Sequence, residues 1–235
     1  MPLSPVRLES PAGLSVELLE NGAVRRMDHG DTIVNLFLGN ELEGGVANLY
    51  LRRLNADALQ YIELLGPRSP TRFHRSGDGW SGGGDWSGFH YTVQLRLAAP
   101  APVWFWQVSL ENSAGSTQQV DVIYAQDIAL SPYGTVRLNE FYVSQYVDHT
   151  PLQHPKQGHV IASRQNLSAG GCNPWCVIGS LRRAQSFATD AMQVHGLATR
   201  AGESPVGIVQ GLPGRRLQHE HSMVAIQDEP LEIKP

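Results

Sequence analysis

The chain has 235 residues, enough for one large domain with its own core, and only 17% of them are charged, for a net charge of −4. It has no block of lysines or arginines, so an electrostatically driven nucleic-acid binder is excluded. No apolar stretch approaches the roughly 18 residues of a membrane-spanning helix.

In chain order, Met1-Pro2-Leu3-Ser4-Pro5 has neither a basic nor an apolar leader region. No signal peptide or lipid anchor is expected, and the cytoplasm is the expected compartment. Val46 to Leu54 offers the best short helix pattern in a chain where helical periodicity is weak. Gly77 to Gly88 comes next, a glycine-rich run holding Trp80, Trp86, Asp78 and Asp85. It reads as a loop, for which two functions compete. The indoles can stack on the apolar face of a sugar while Asp accepts hydroxyl hydrogen bonds. Alternatively, a surface hairpin folds its Trp back onto the protein. No strand-GxxxxGK[ST]-helix context makes it a phosphate loop.

Tyr91 to Leu97 alternates apolar and polar residues at the strand period, and Val103 to Leu110 reads as a central strand. Glu111 to Ser116 is then a turn and Gln119 to Tyr124 a returning strand. Asn139 to Thr150 gathers Glu140, Asp148, His149, Asn139, Gln145 and three aromatics within twelve residues. A glycosidase needs two carboxyl groups facing across a cleft, which neighbourhood in sequence does not supply. Asp148 and His149 point to opposite faces if extended. Hydrogen bonding that holds loops is the simpler role for this segment, with Asp127 nearby in sequence.

Arg164, in Ser163-Arg164-Gln165-Asn166, can form a carboxylate or phosphate fork or a structural ion pair. Cys172 and Cys176 lack the spacing of redox or zinc pairs, so two reduced cysteines are expected. His219 and His221 share a strand face, but no third ligand is placed, so neither metal nor cofactor is expected. Leu231 to Pro235 ends without a polar tail, as a module cut from or encoded beside a longer protein would. Short strands between frequent Gly and Pro predict an all-β fold, a large antiparallel β-sandwich spanning residues 1–235 as one domain. Nucleophile-elbow, zinc-protease and dinucleotide motifs are absent.

Seven stretches carry a family resemblance. They are Tyr61 to Pro70, Trp104 to Val108, Tyr124 to Ile128, Asn139 to His149, Ser163 to Asn166, Phe187 to Asp190 and Gln218 to Ser222. In this order the chain resembles the N-terminal domain of the glycoside phosphorylases that act on cellobiose, cellodextrin and chitobiose. It is most similar to the 1,2-β-oligoglucan phosphorylase and cyclic β-1,2-glucan synthase branch. The resemblance implies a β-supersandwich like the galactose-mutarotase fold, succeeded in that family by an (α/α)6 catalytic barrel carrying the general-acid Asp. No long helical stretch here accommodates such a barrel, so no catalytic residue is transferred. The resemblance thus implies a non-catalytic domain that shapes a sugar cleft, supports a homo-oligomer and partners a helical barrel in cis or in trans. Trp80, Asp85, Trp86, Glu140, Gln145, Asp148, His149 and Arg164 are its candidate contacts for a β-glucan oligosaccharide. Two alternatives stay open: a free-standing carbohydrate-binding module, and a mutarotase-like epimerase using Glu140, Asp148 and His149 as acid and base.

Overall fold

The computed structural model describes residues 5–235 apart from 55–57, 78, 169, 198–202 and 219–220. The first strands are β1 (Val6–Glu9), β2 (Leu14–Leu18), β3 (Val24–His29), β4 (Thr32–Ile33), β5 (Asn48–Arg53) and β6 (Gln60–Glu63). Next come β7 (Arg72–Ser76), β8 (Gly79–Trp86), β9 (Phe89–Leu97), β10 (Trp104–Asn112), β11 (Gln118–Asp127) and β12 (Ser131–Pro132). Helices α1 (Tyr133–Leu138) and α2 (Glu140–Gln145) precede β13 (Val147–His154), β14 (Gly158–Gln165), β15 (Trp175–Gly179) and β16 (Ala184–Asp190). Helices α3 (Ala191–His195) and α4 (Val206–Gln210), then β17 (Ser222–Asp228) and β18 (Leu231–Ile233), complete the described elements. The fold is all-β as expected, with antiparallel pairing predominant and every described helix short. No described helix is long and apolar enough to cross a membrane.

The chain divides into two compact units. Unit 1 holds Met1–Gly30, Leu38–Val120 and Leu231–Pro235; unit 2 holds Asp31–Phe37 and Asp121–Pro230. The boundary falls inside β11.

In unit 1, β1, β2 and β3 form an antiparallel meander, and β5 pairs β6. A four-stranded sheet runs in the order β10-β9-β8-β7. Its core side is set by β9, whose alternation sends Phe89, Tyr91, Val93 and Leu95 inward, each at most 1% exposed. Each such side chain contributes about 1.5–3 kcal/mol by leaving water. Ser87 and Gly88 turn β8 into β9 with φ of 48° and 83°, the left-handed pair that suits a tight hairpin.

The structure corrects four sequence expectations. The run after Gly77 is not a loop from end to end, because Gly79–Trp86 is a full strand paired on both sides. Its glycines answer close approach: a Cβ on Gly82 would lie 2.7 Å from the Phe73 ring, and one on Gly84 2.8 Å from the Tyr91 hydroxyl. Val46 to Leu54 supplies strand β5 instead of a helix, since Asn48, Leu49, Tyr50, Leu51 and Arg52 are all buried and no one-sided helical stripe emerges. Val103 to Leu110 supplies β10, which ends its sheet instead of lying at its centre, and β11 pairs β17 and β18 instead of returning beside β10.

In unit 2, β4 pairs β12, and the second half of β11 pairs β17, which pairs β16. β14 pairs β13 on one side and β15 on the other, with a single parallel contact to β16 at Gly158 and Ala184. Residues Glu140 to Gln145, within the polar segment, are helical. The Asn139 side chain caps this helix by accepting from Tyr142 N at 2.9 Å, and Asp190 caps α3 in the same way.

Candidate functional site

The candidate residues separate into two groups, one in each unit. In unit 1, Trp80 is 4% exposed and stacked on Phe73, with ring centroids 6.0 Å apart and planes 3° from parallel. Its indole N–H has no acceptor among the described residues. Trp80 therefore packs and presents no ring face to solvent. Asp85 is exposed and pairs with the His90 ring at 3.0 Å, and Trp86 closes the hairpin opposite Phe89, half-buried.

In unit 2, the pairing of β13, β14 and β15 brings candidates and several unanticipated partners onto or behind one sheet. Cross-strand register aligns Asp148, Arg164 and Trp175 in one rung. Thr150, Ala162 and Val177 form the next, then Leu152, Val160 and Gly179. Residues opposite each other share a face, and this face is open: Trp175 is 59%, Val177 62% and Leu152 50% exposed. The Arg164 guanidinium carbon lies over the Trp175 ring, 5.6 Å from its centroid, and Arg164 donates to Asn173 Oδ1 at 3.4 Å. Asp148 accepts a short hydrogen bond from Arg216, which also donates to Gln218 Oε1. Gln218 in turn donates to the backbone oxygens of Gln145 and Val147.

The reverse face of the same strands is closed. His149, one residue from Asp148, points inward as strand alternation requires and is 1% exposed. Its Nδ1 lies 2.9 Å from Ser163 Oγ and its Nε2 2.9 Å from Ser222 Oγ. Burial, reinforced by the Arg216 charge, pushes its pKa down from the usual 6.5 to about 4, so it is neutral at pH 7. Ser222 N donates to Ser144 Oγ, tying α2 to the same network. Gln165 donates to the oxygens of Ala129 and Val143 and accepts from Leu167 N. Asp127 is also buried. Leu36 N and Phe37 N both donate to its Oδ2 at 2.8 Å, and burial raises its pKa from 3.8 to about 6. Burial likewise pushes the Cys176 thiol up to about 12, and neither cysteine is in a disulfide.

These partnerships decide what the arrangement can do. Glu140 is paired with Arg137 at 2.9 Å, Asp148 with Arg216, and His149 is locked between two serines. Each of the three is thus held by a partner within the protein. The open rung instead offers an indole, a guanidinium, a carboxylate and an amide, groups that can stack on a sugar ring and bond its hydroxyls. Trp175, Asn173 and Arg216 join this rung although sequence reading did not select them as contacts. The Asn-Pro-Trp run shortly after Arg164 was the available signal, but only strand register makes these side chains neighbours. His221 stacks edge-on against Phe37 at 4.9 Å, whereas His219 lies outside the described residues. No group of three metal-ligating side chains occurs among the described residues.

Known proteins share this sequence pattern. A family model described as the SOGP N-terminal domain matches residues 17–235. A 1,2-beta-oligoglucan phosphorylase of Listeria innocua serovar 6a is 26% identical over 219 residues, covering 93% of this chain. The chain spans only 19% of that protein's length.

Proposed function

Because the chain belongs to the SOGP N-terminal domain family, we propose that it is a non-catalytic accessory domain of a β-glucan phosphorylase. It faces oligosaccharide through the open β13–β15 rung, partners a helical-barrel catalytic domain in cis or in trans, and supports assembly with a second copy. It acts as one module of a cytoplasmic enzyme. The observation that carries this reading is the disposition of the candidate acid–base groups. Glu140 and Asp148 are each paired with an arginine and the histidine is sealed inside, while Arg164 on β14 and Trp175 on β15 stand open beside them. Such a face suits binding and positioning a sugar. The relative's name supports β-1,2-linked glucose as the sugar.

The test is calorimetric titration of the 235-residue chain with sophorose and longer β-1,2-glucan oligomers, with cello-oligomers as control. The expected result is weak saturable binding that disappears in Trp175→Ala and weakens in Arg164→Ala. Trp86→Ala separates this rung from the Asp85–Trp86 hairpin end: binding lost there and kept in Trp175→Ala would move the site to unit 1. No binding at millimolar sugar would remove the sugar contact and leave a scaffold.

A further inference from the structure

We propose that β10 is the pairing edge of a symmetric dimer, joining antiparallel to β10 of a second copy. This rests on the assembly role just stated and gives it a surface.

The strand is nine residues long and pairs β9 without a bulge along its whole length. On its other side no described strand follows. Edges of this kind attract other strands and are usually blunted by charge, proline or shortness. The other described edge strands are shorter or carry charge or proline; β15, without either, has five residues. β7, at the far side of the same sheet, has five residues including Arg72, His74 and Arg75, and β13 carries Pro151. β10 has no proline and one charge, Glu111.

Its bonding groups point the right way. Ala98 N donates to Val103 O and Ser113 N donates to Gly88 O, which continues the β9 ladder on odd-numbered residues of β10. In an antiparallel pair alternate residues bond to opposite sides, so the N–H and C=O of Trp106, Val108 and Leu110 face outward. Their side chains also lie on the inner face of the sheet, where they remain half-exposed. Their partners on β9, Leu95, Val93 and Tyr91, are fully buried. The apolar face thus stops short at β10, and one more strand would cover it.

A second copy fits this edge. With Val108 on the two-fold axis, Trp106 lies opposite the partner's Leu110, and Glu111 lies opposite the partner's Phe105. On the inner face Trp106 and Leu110 meet each other and Val108 meets its own copy, and no like charges face each other.

The test is sedimentation velocity of the chain up to about 100 µM. The wild type is expected to dimerise. Val108→Pro deletes an outward N–H without touching the β9 ladder and should give a monomer with an unchanged circular dichroism spectrum. Phe105→Glu, at an exposed position, sets a like charge against the partner's Glu111 twice per dimer and should weaken association roughly tenfold. Phe105→Lys should strengthen it. A dimer indifferent to all three variants overturns the β10 edge while leaving the assembly role. A wild-type monomer overturns both, and protection of the outward Trp106, Val108 and Leu110 amides from hydrogen exchange in that monomer would assign the edge to another occupant.

Discussion

Trp80 in unit 1 and His149 in unit 2 are both almost fully buried, yet they are held by different means. Trp80 lies flat on Phe73 and its N–H bonds to nothing described. His149 has both ring nitrogens bonded to serine hydroxyls on other strands. The glycine-rich sheet is a matter of shape, in which glycines admit rings that a Cβ would strike. The polar ladder is a matter of pairing, in which each buried group depends on a named partner. Residue types that suggest sugar chemistry in a sequence therefore serve, at these two positions, to hold strands together.

This contrast can be broken by substitution. The largest effect is expected for His149→Ala, which opens a cavity and orphans two buried hydroxyls, at a cost of about 4 kcal/mol in denaturant unfolding. A loss below about 1 kcal/mol would mean the network is ornamental. Trp80→Ala should cost about 3 kcal/mol through lost packing. Trp80→Phe should be within about 1 kcal/mol of wild type, because it removes an unpartnered N–H along with some volume. A large loss in Trp80→Phe would show that the indole has a polar role after all.

Acidity sharpens the comparison within unit 2. His149 is depressed to about 4, so its contribution to stability is complete above pH 6.5 and is lost as pH falls through 4. Asp127 is raised to about 6, so its contribution is complete below pH 3.8 and is lost as pH rises through 6. The two oppose each other between pH 4 and pH 6. Asp127→Asn should therefore steepen the fall in melting temperature from pH 6.5 to pH 4, read by calorimetry across that range. An unchanged slope would show that Asp127 does not titrate there. The smallest effect is expected for Arg164→Ala: within about 0.5 kcal/mol of wild-type stability, because the side chain is exposed.

Local pattern made the strands legible: the alternation of Tyr91 to Leu97 is β9, and the inward turn of His149 away from Asp148 comes from a two-residue period. Composition misled where burial overrides it. Val46 to Leu54 contains good helix formers, but Asn48 to Arg52 are enclosed on every side and become β5. The glycines around Trp80 read as flexibility, whereas contacts with Phe73 and Tyr91, distant in sequence, make them a strand requirement. Register was the least legible property. Trp175 meets Arg164 only because β15 aligns with β14 at that rung, and Arg216 reaches Asp148 across 68 positions of chain.

The strand β18 also bears on synthesis. It pairs Leu231, Glu232 and Ile233 with Val120, Gln119 and Gln118, and both belong to unit 1. Asp121–Pro230, nearly half the chain, must leave the ribosome before that pairing closes. Unit 1 emerges first and finishes last, holding an unsealed strand end while unit 2 is still being translated.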